Sequence, residues 1–406
     1  MESLLFLPVL ATCRLLLAWV HFPVPDGLLI DHQLTSPLTS YFRLKEGLWL
    51  YNHGVDPYVG GILKHSPLFL SLFSTVPPGR VAWALSDIVG AWALVRIWRS
   101  RQQLGQSRRD GLVGTAYLLN PYLLLPSLAS STSTFENGAV LLTLMFAAEG
   151  RPSPALLALA LSTHLSLTTL LLVVPVLMLL ATSPTSQLAS PRLFGGSYWK
   201  VLRYASEFVV YWFVLVCAAS IMAGGVWNWM RESWGASLIL PDLTPNPGFW
   251  WYFFTEMFDH FRPFFLMVFS THLVIYVMPV CIKFQHDALY AAFLLLGILG
   301  AFKPYLTLAD PGLFLSMFAV FPEIYPYLRH AIVTALLHAH ASLLLPLFHA
   351  LWVIEGRGNA NFYYASSLVM GIAGGAGIVD ACFAGMRIAV GSVPEVERGK
   401  WEVIQQ

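Results

Sequence analysis

Apolar residues in this chain come in long, nearly unbroken runs, without the strict alternation of a half-buried strand or the single apolar stripe of a soluble helix. A bilayer-spanning helix needs about 20 largely apolar residues, usually about 17–25. Runs of this kind fall near 3–20, 80–98, 112–128, 137–149, 154–165, 166–182, 203–223, 264–282, 288–302, 312–325, 331–353 and 363–387. They predict an all-α polytopic membrane protein with about 12 transmembrane helices. The region 137–182 divides in more than one way. Pro175, Pro279 and Pro346 lie inside runs; membrane helices tolerate such breaks where neighbours satisfy the freed backbone groups. Glu2 and Arg14 argue against a cleaved signal, so the first run reads as a retained span.

Composition agrees. Charged residues make up 11% of the 406, under half the roughly 25% of a soluble domain. The net charge of +1 implies no nucleic-acid partner. Charge position is more informative. Arg96, Arg99, Arg101, Arg108 and Arg109 form the densest basic cluster, and short basic loops stay cytosolic. With 96–109 in the cytosol, alternation sends 21–79, 129–136, 224–263, 303–311 and 355–362 to the other side.

Two of those non-cytosolic loops are long. The first, 21–79, carries Asp26 and Asp31 just after the first span, and an apolar stretch 67–76 too short to cross. Acids placed there suit metal binding or general-base activation of a sugar hydroxyl. The second, 224–263, is dense in aromatic and acidic residues. It predicts an amphipathic helix over 247–262 lying along the surface, its tryptophans at headgroup level.

Polar residues inside apolar runs are expensive in lipid. Arg14, Asp87 and Asp380 are therefore expected to face the bundle or a neighbouring subunit. His338 and His340, two residues apart on one helix, must face different sides, which argues against shared metal binding and for core or interface roles. Lys283 ends a span, either as a snorkelling anchor or against a phospholipid phosphate. Cys13, Cys217, Cys281 and Cys382 all lie in apolar runs with no CxxC pair. No P-loop, dinucleotide fingerprint or zincin motif occurs, so no cofactor or metal is called for.

Glu46-Gly47, Asp56-Pro57-Tyr58 and Ser66-Pro67-Leu68, behind an acidic first loop, resemble the multi-spanning mannosyltransferases of the glycosyltransferase C superfamily. A longer set resembles the PIG-U family. It comprises Ser36-Pro37-Leu38-Thr39-Ser40, Glu46-Gly47, Gly54-Val55-Asp56-Pro57-Tyr58, Leu118-Leu119-Asn120-Pro121-Tyr122, Pro241-Asp242-Leu243-Thr244-Pro245-Asn246, Trp251-Tyr252-Phe253-Phe254, Glu256-Met257-Phe258-Asp259-His260-Phe261 and Asn359-Ala360-Asn361-Phe362-Tyr363-Tyr364. Arg357 departs from the small residue expected there.

The resemblance implies a glycosyltransferase-C-like architecture and a non-catalytic subunit of the endoplasmic-reticulum GPI transamidase. Such a subunit binds the GPI lipid beside a caspase-like catalytic subunit and other membrane subunits. On the matching residues, Asp259 and His260 become candidates for phosphate or sugar hydroxyls, and Phe261 for acyl chain. Asn359 and Asn361 become candidates for glycan hydroxyls. The plainer alternatives stay open: a wet helix end for the first three, helix capping for the asparagines. The rival function is a dolichyl-phosphate-mannose-dependent mannosyltransferase, weakened because Asp26 and Asp31 stand five residues apart, not adjacent.

Overall fold

The computed structural model describes residues 2–19, 31–75 and 79–391, with side chains from Leu7 onward. Asp26 lies outside the described residues. Every regular element among them is a helix. In chain order these are α1 (Glu2–Trp19), α2 (Tyr41–Asn52), α3 (Pro67–Thr75), α4 (Arg80–Gln102), α5 (Asp110–Leu118), α6 (Pro121–Leu128), α7 (Ser133–Ala148), α8 (Pro152–Leu165) and α9 (Val173–Ala181). Then follow α10 (Tyr198–Met222), α11 (Asn228–Ile239), α12 (Trp250–Thr255), α13 (Arg262–Ile275), α14 (Val277–Lys283), α15 (Ala288–Phe302), α16 (Ala309–Met317), α17 (Ala331–His349) and α18 (Ala360–Val390). The chain is an all-α polytopic membrane protein.

Five segments among the described residues are long and apolar enough to cross a bilayer singly: Arg80–Gln102, Tyr198–Met222, Arg262–Lys283, Ala331–Ile354 and Ala360–Val390. Other apolar runs form shorter or broken helices. The run 112–128 breaks between α5 and α6, where the Asn120 side chain caps α6 by accepting the Tyr122 N–H and Pro121 occupies the first turn. The Asn120 amide also donates to Gly312 O and to Ser316 Oγ, tying the break to α16.

The centre of the bundle is α15, in which every residue from Ala288 to Ala301 is buried. A helix apolar on all sides belongs inside a bundle. Around it pack α9, α16 and α18, while α17 and α18 form an antiparallel hairpin. Arg14 of α1 and Asp87 of α4 meet at 2.8 Å, with Ser127 donating to the same Asp87 oxygen at 2.6 Å. Asp380 accepts the backbone N–H groups of Arg329 and His330 just before α17.

One expectation is corrected. The surface helix over 247–262 is only the short α12, and Trp250 and Trp251 are 2% and 3% exposed. Pro241, Pro245 and Pro247 precede it and cannot donate to a helix ladder. Its rings find protein partners instead of headgroups: Trp250 packs edge-on to Phe269, and its Nε1 donates to Phe302 O at 2.9 Å. Arg101, a member of the basic cluster at the end of α4, is wholly buried. It pairs with Asp287 at 2.8 Å and Glu323 at 2.7 Å, and that double pairing compensates its desolvation.

Candidate lipid-binding site

The irregular segment between α11 and α12 joins the two long loops. The Asp242 carboxylate takes the Thr244 N–H at 3.0 Å, the Thr244 hydroxyl, and the Arg43 guanidinium at 2.5 Å. Burial alone would raise this carboxyl; the bonds from Thr244 and Arg43 outweigh it and hold it below the usual carboxylate range. Asn246 closes the next turn, accepting Gly248 N–H at 2.9 Å and donating to Thr244 O at 3.1 Å. Behind it Phe249 lies against Gly371 of α18, where a Cβ would collide with its ring. Most of the motif residues in this stretch thus build the scaffold.

The scaffold leaves a groove between α11 and α13. Its outer part, about 590 Å³, has Asp259 and Arg262 at the mouth and Leu238, Leu266 and Met267 along its walls. Arg262 is anchored by a hydrogen bond from its guanidinium to Leu240 O. Leu238 and Ser270 also line an adjoining apolar cleft of about 210 Å³ that reaches Leu171, Leu273 and Val274. The groove is charged at one end and apolar along its depth. Asp259, His260 and Phe261 are all exposed, in the turn leading into α13, with the His260 ring 4.1 Å from that of Phe261.

Asn359 and Asn361 lie at the start of α18, beside α12. Asn359 Oδ1 accepts the Phe362 N–H at 3.3 Å and caps α18. Asn361 Oδ1 accepts the Tyr252 hydroxyl, and its amide nitrogen has no protein partner among the described residues. Tyr252 stacks on Tyr364 at 4.4 Å and Trp251 on Trp352 at 6.0 Å, giving an aromatic rim. Under the rim, His32 faces His349 at 5.5 Å and His349 faces Tyr363 at 5.5 Å. His32 Nδ1, His349 Nε2, Tyr363 Oη and Trp251 Nε1 are buried without a partner. Burial and the neighbouring His349 lower the His32 pKa. Asp31 accepts the Gln33 N–H at 2.7 Å. No direct contact joins Asp259 and His260 to Asn359 and Asn361.

Lys283 stands at the opposite end of Arg262–Lys283. It opens on a cavity of about 790 Å³ with Arg192, His286 and Arg329, floored by Phe383 and Met386. The Arg329 guanidinium lies 3.6 Å above the Phe383 ring. Lys283, Arg192 and Arg329 thus set positive charge above an apolar floor. Among the described residues no group of His, Cys, Asp or Glu is arranged to hold a metal. Sequence reasoning missed the buried triad in which Lys303 pairs with Asp310 at 2.9 Å and Glu136 at 3.0 Å. Each member follows or begins an apolar run, where a solvated charge is the ordinary expectation.

Fold and clefts together describe a polytopic helical membrane protein with an opening at each end of the segment Arg262–Lys283. Residues 8–370 match the family described as GPI transamidase subunit PIG-U, and the chain belongs to that family. It is 32% identical over 362 residues to the GPI transamidase component GAB1 of Saccharomyces cerevisiae, covering 88% of this chain and 87% of that protein. It is 30% identical over 368 residues to the human GPI-anchor transamidase component PIGU, covering 84% of each. The Schizosaccharomyces pombe GAB1 homolog is also 30% identical, over 355 residues, covering 84% of this chain and 83% of its own.

Proposed function

We propose that the chain is a non-catalytic subunit of a GPI transamidase in the endoplasmic-reticulum membrane, and that it binds the GPI lipid and presents it for attachment. The observation that carries this reading is the groove with Asp259 and Arg262 at its mouth and an apolar cleft behind. A GPI molecule has the same two-part chemistry, phosphates and sugar hydroxyls above acyl chains. In this reading the chains lie along Leu238, Leu266 and Leu273, with Phe261 beside them. Asp259 and His260 meet the head, and the glycan extends across the α12 rim toward Asn359 and Asn361. The basic cavity at Lys283 takes a phospholipid phosphate.

The transfer chemistry then belongs to a caspase-like partner subunit, with further membrane subunits around it. All four thiols of this chain lie in helices, and burial leaves Cys281 little access to a substrate. Asp31, one of the two acids a mannosyltransferase reading would use, is engaged in capping its own turn at Gln33. The test is GPI retained by the purified complex. Leu266→Trp, which fills the groove, should lower retained GPI while subunit recovery stays the same. Unchanged retention would remove the groove from the reading. Lipid intermediates lacking mannose in an Asp31→Asn strain would instead favour the mannosyltransferase.

A further inference from the structure

Side chains turned outward from the spanning helices are almost all apolar. α17 departs from this. Ile332, Leu336, Leu343 and Leu347 stand exposed along it, and at 100° per residue they fall on one narrow stripe. His340 is exposed at the edge of that stripe, about 20° beyond Leu347 and between Leu336 and Leu343 along the helix. It is the tenth residue of the span Ala331–Ile354, so it lies roughly 14 Å from one end and 21 Å from the other. That depth is beyond the reach of an imidazole to either headgroup layer. Its neighbour His338 turns inward, its ring 5.9 Å from that of Tyr122. His272 is half-buried and bonded to Tyr276 at 2.8 Å. Among the described residues of the five spanning segments, His340 is the one ionisable side chain exposed near mid-span.

The protonation of its ring is constrained by geometry. His340 Nδ1 lies 2.9 Å from Leu336 O. A carbonyl only accepts, so Nδ1 carries the hydrogen. In the neutral ring Nε2 is then a bare acceptor facing outward. Hydrocarbon offers it nothing, and an unpaired polar group there is costly. A second copy of this chain, related by a two-fold axis along the membrane normal, would set one Nε2 acceptor against another.

We infer that the Ile332–Leu347 stripe of α17 seats a transmembrane helix of another transamidase subunit, one with a hydrogen-bond donor (a Ser, Thr, Asn or Gln side chain) level with His340. This rests on the reading of the chain as a subunit. The donor pairs with Nε2 while the leucines pack beside it. Hydrogen bonds between membrane helices carry modest but measurable weight.

The experiment uses the purified full complex with the photoreactive residue p-benzoylphenylalanine at Leu343. Irradiation should give an adduct with a membrane subunit of the complex. Separately, His340→Leu should lower recovery of that same subunit in detergent by about threefold to tenfold. The chain itself should elute unchanged, and His340→Gln should restore most of the recovery. Adducts with lipid alone, or with a second copy of this chain, would overturn the assignment, as would full recovery with His340→Leu. If the unaltered chain brings down no membrane subunit at all, the subunit reading fails, and the stripe with it. The Leu343 adduct is formed with His340 intact, so it decides the matter even where His340→Leu folds poorly.

Discussion

Arg43 and Asp242, 199 residues apart in sequence, meet at 2.5 Å and lock the first long loop to the second. Their side chains are 27% and 25% exposed, so solvent screens part of the attraction. The pair's own coupling is expected at about 1 kcal/mol. Asp242→Ala also frees both Thr244 donors, and its full cost is expected at about 1–3 kcal/mol. Thermal unfolding in detergent checks this through a double-mutant cycle. Arg43→Ala with Asp242→Ala should cost less than the two single changes added together. Strict additivity would mean that the contact couples nothing.

Arg14 and Asp87 show how far sequence reasoning reaches. Each is an ionisable residue inside an apolar run, so each had to face inward. That they face one another, with Ser127, depends on α1, α4 and α6 converging, which no local pattern encodes. Arg14→Leu strands a buried carboxylate, and a loss of about 3–5 kcal/mol is expected. Adding Asp87→Leu should return much of it. If the double change is as damaging as the single one, packing at Arg14 outweighs its charge.

The apolar helices were legible because lipid demands long apolar runs, and those runs are printed in the sequence; α2 and α11, inside the two long loops, were not. Contacts that depend on three dimensions were not. Arg101 reads like its basic neighbours until Asp287 and Glu323 arrive from distant segments. Trp250 and Trp251 read as interfacial, since nothing local reveals that Phe269 and Trp352 will cover them. The motif Pro241–Asn246 pointed correctly to a specified structure, yet Asp242 and Asn246 spend their polar atoms on turns and on Arg43.

His65 lies in the first loop, outside the spanning segments, and is fully buried beside Thr132, its Nε2 3.2 Å from the threonine hydroxyl. Burial first, and then the Arg43 charge, push its pKa from 6.5 down to about 3. The folded state thus binds fewer protons than the unfolded state below pH 6.5. Stability from this group is complete above that pH and drains away as pH falls toward 3. His32, also lowered by burial, acts in the same direction. Melting temperatures across pH 7 to 4 should fall, and His65→Gln should flatten the slope. An equally steep fall with His65→Gln would locate the acid sensitivity elsewhere.

The membrane register is open to direct labelling. Gln103 is exposed at the end of α4, and Phe258 is 73% exposed in the turn before α13. Asn246 is unsuitable as a probe because it is buried at 1%. Single cysteines at Gln103 and Phe258 should react with impermeant maleimide from opposite faces of sealed microsomes. Reaction of both from the cytosolic face would reverse the placement of 224–263.

Asn359 and Asn361 must be separated to test the glycan side of the site. Asn359 caps α18, so Asn359→Ala is expected to lose about 1 kcal/mol of stability whether or not a glycan is bound. Asn359→Asp keeps the cap and removes the amide donor. Asn361 bears no cap; its oxygen takes the Tyr252 hydroxyl and its amide hydrogens are directed to no other described residue. A lost neutral hydrogen bond is worth about 0.5–1.5 kcal/mol, and one to a phosphate about 1.5–3. Asn361→Ala should therefore lower GPI capture by about three- to tenfold, with Asn359→Asp adding a comparable loss at full thermal stability. Tyr252→Phe provides the control, since it removes only the hydroxyl that orients Asn361. GPI retained per complex, read beside the melting temperature, separates the roles. Reduced retention with an unchanged melt places the amides on the lipid head. A lowered melt with proportionate loss would return both asparagines to structure.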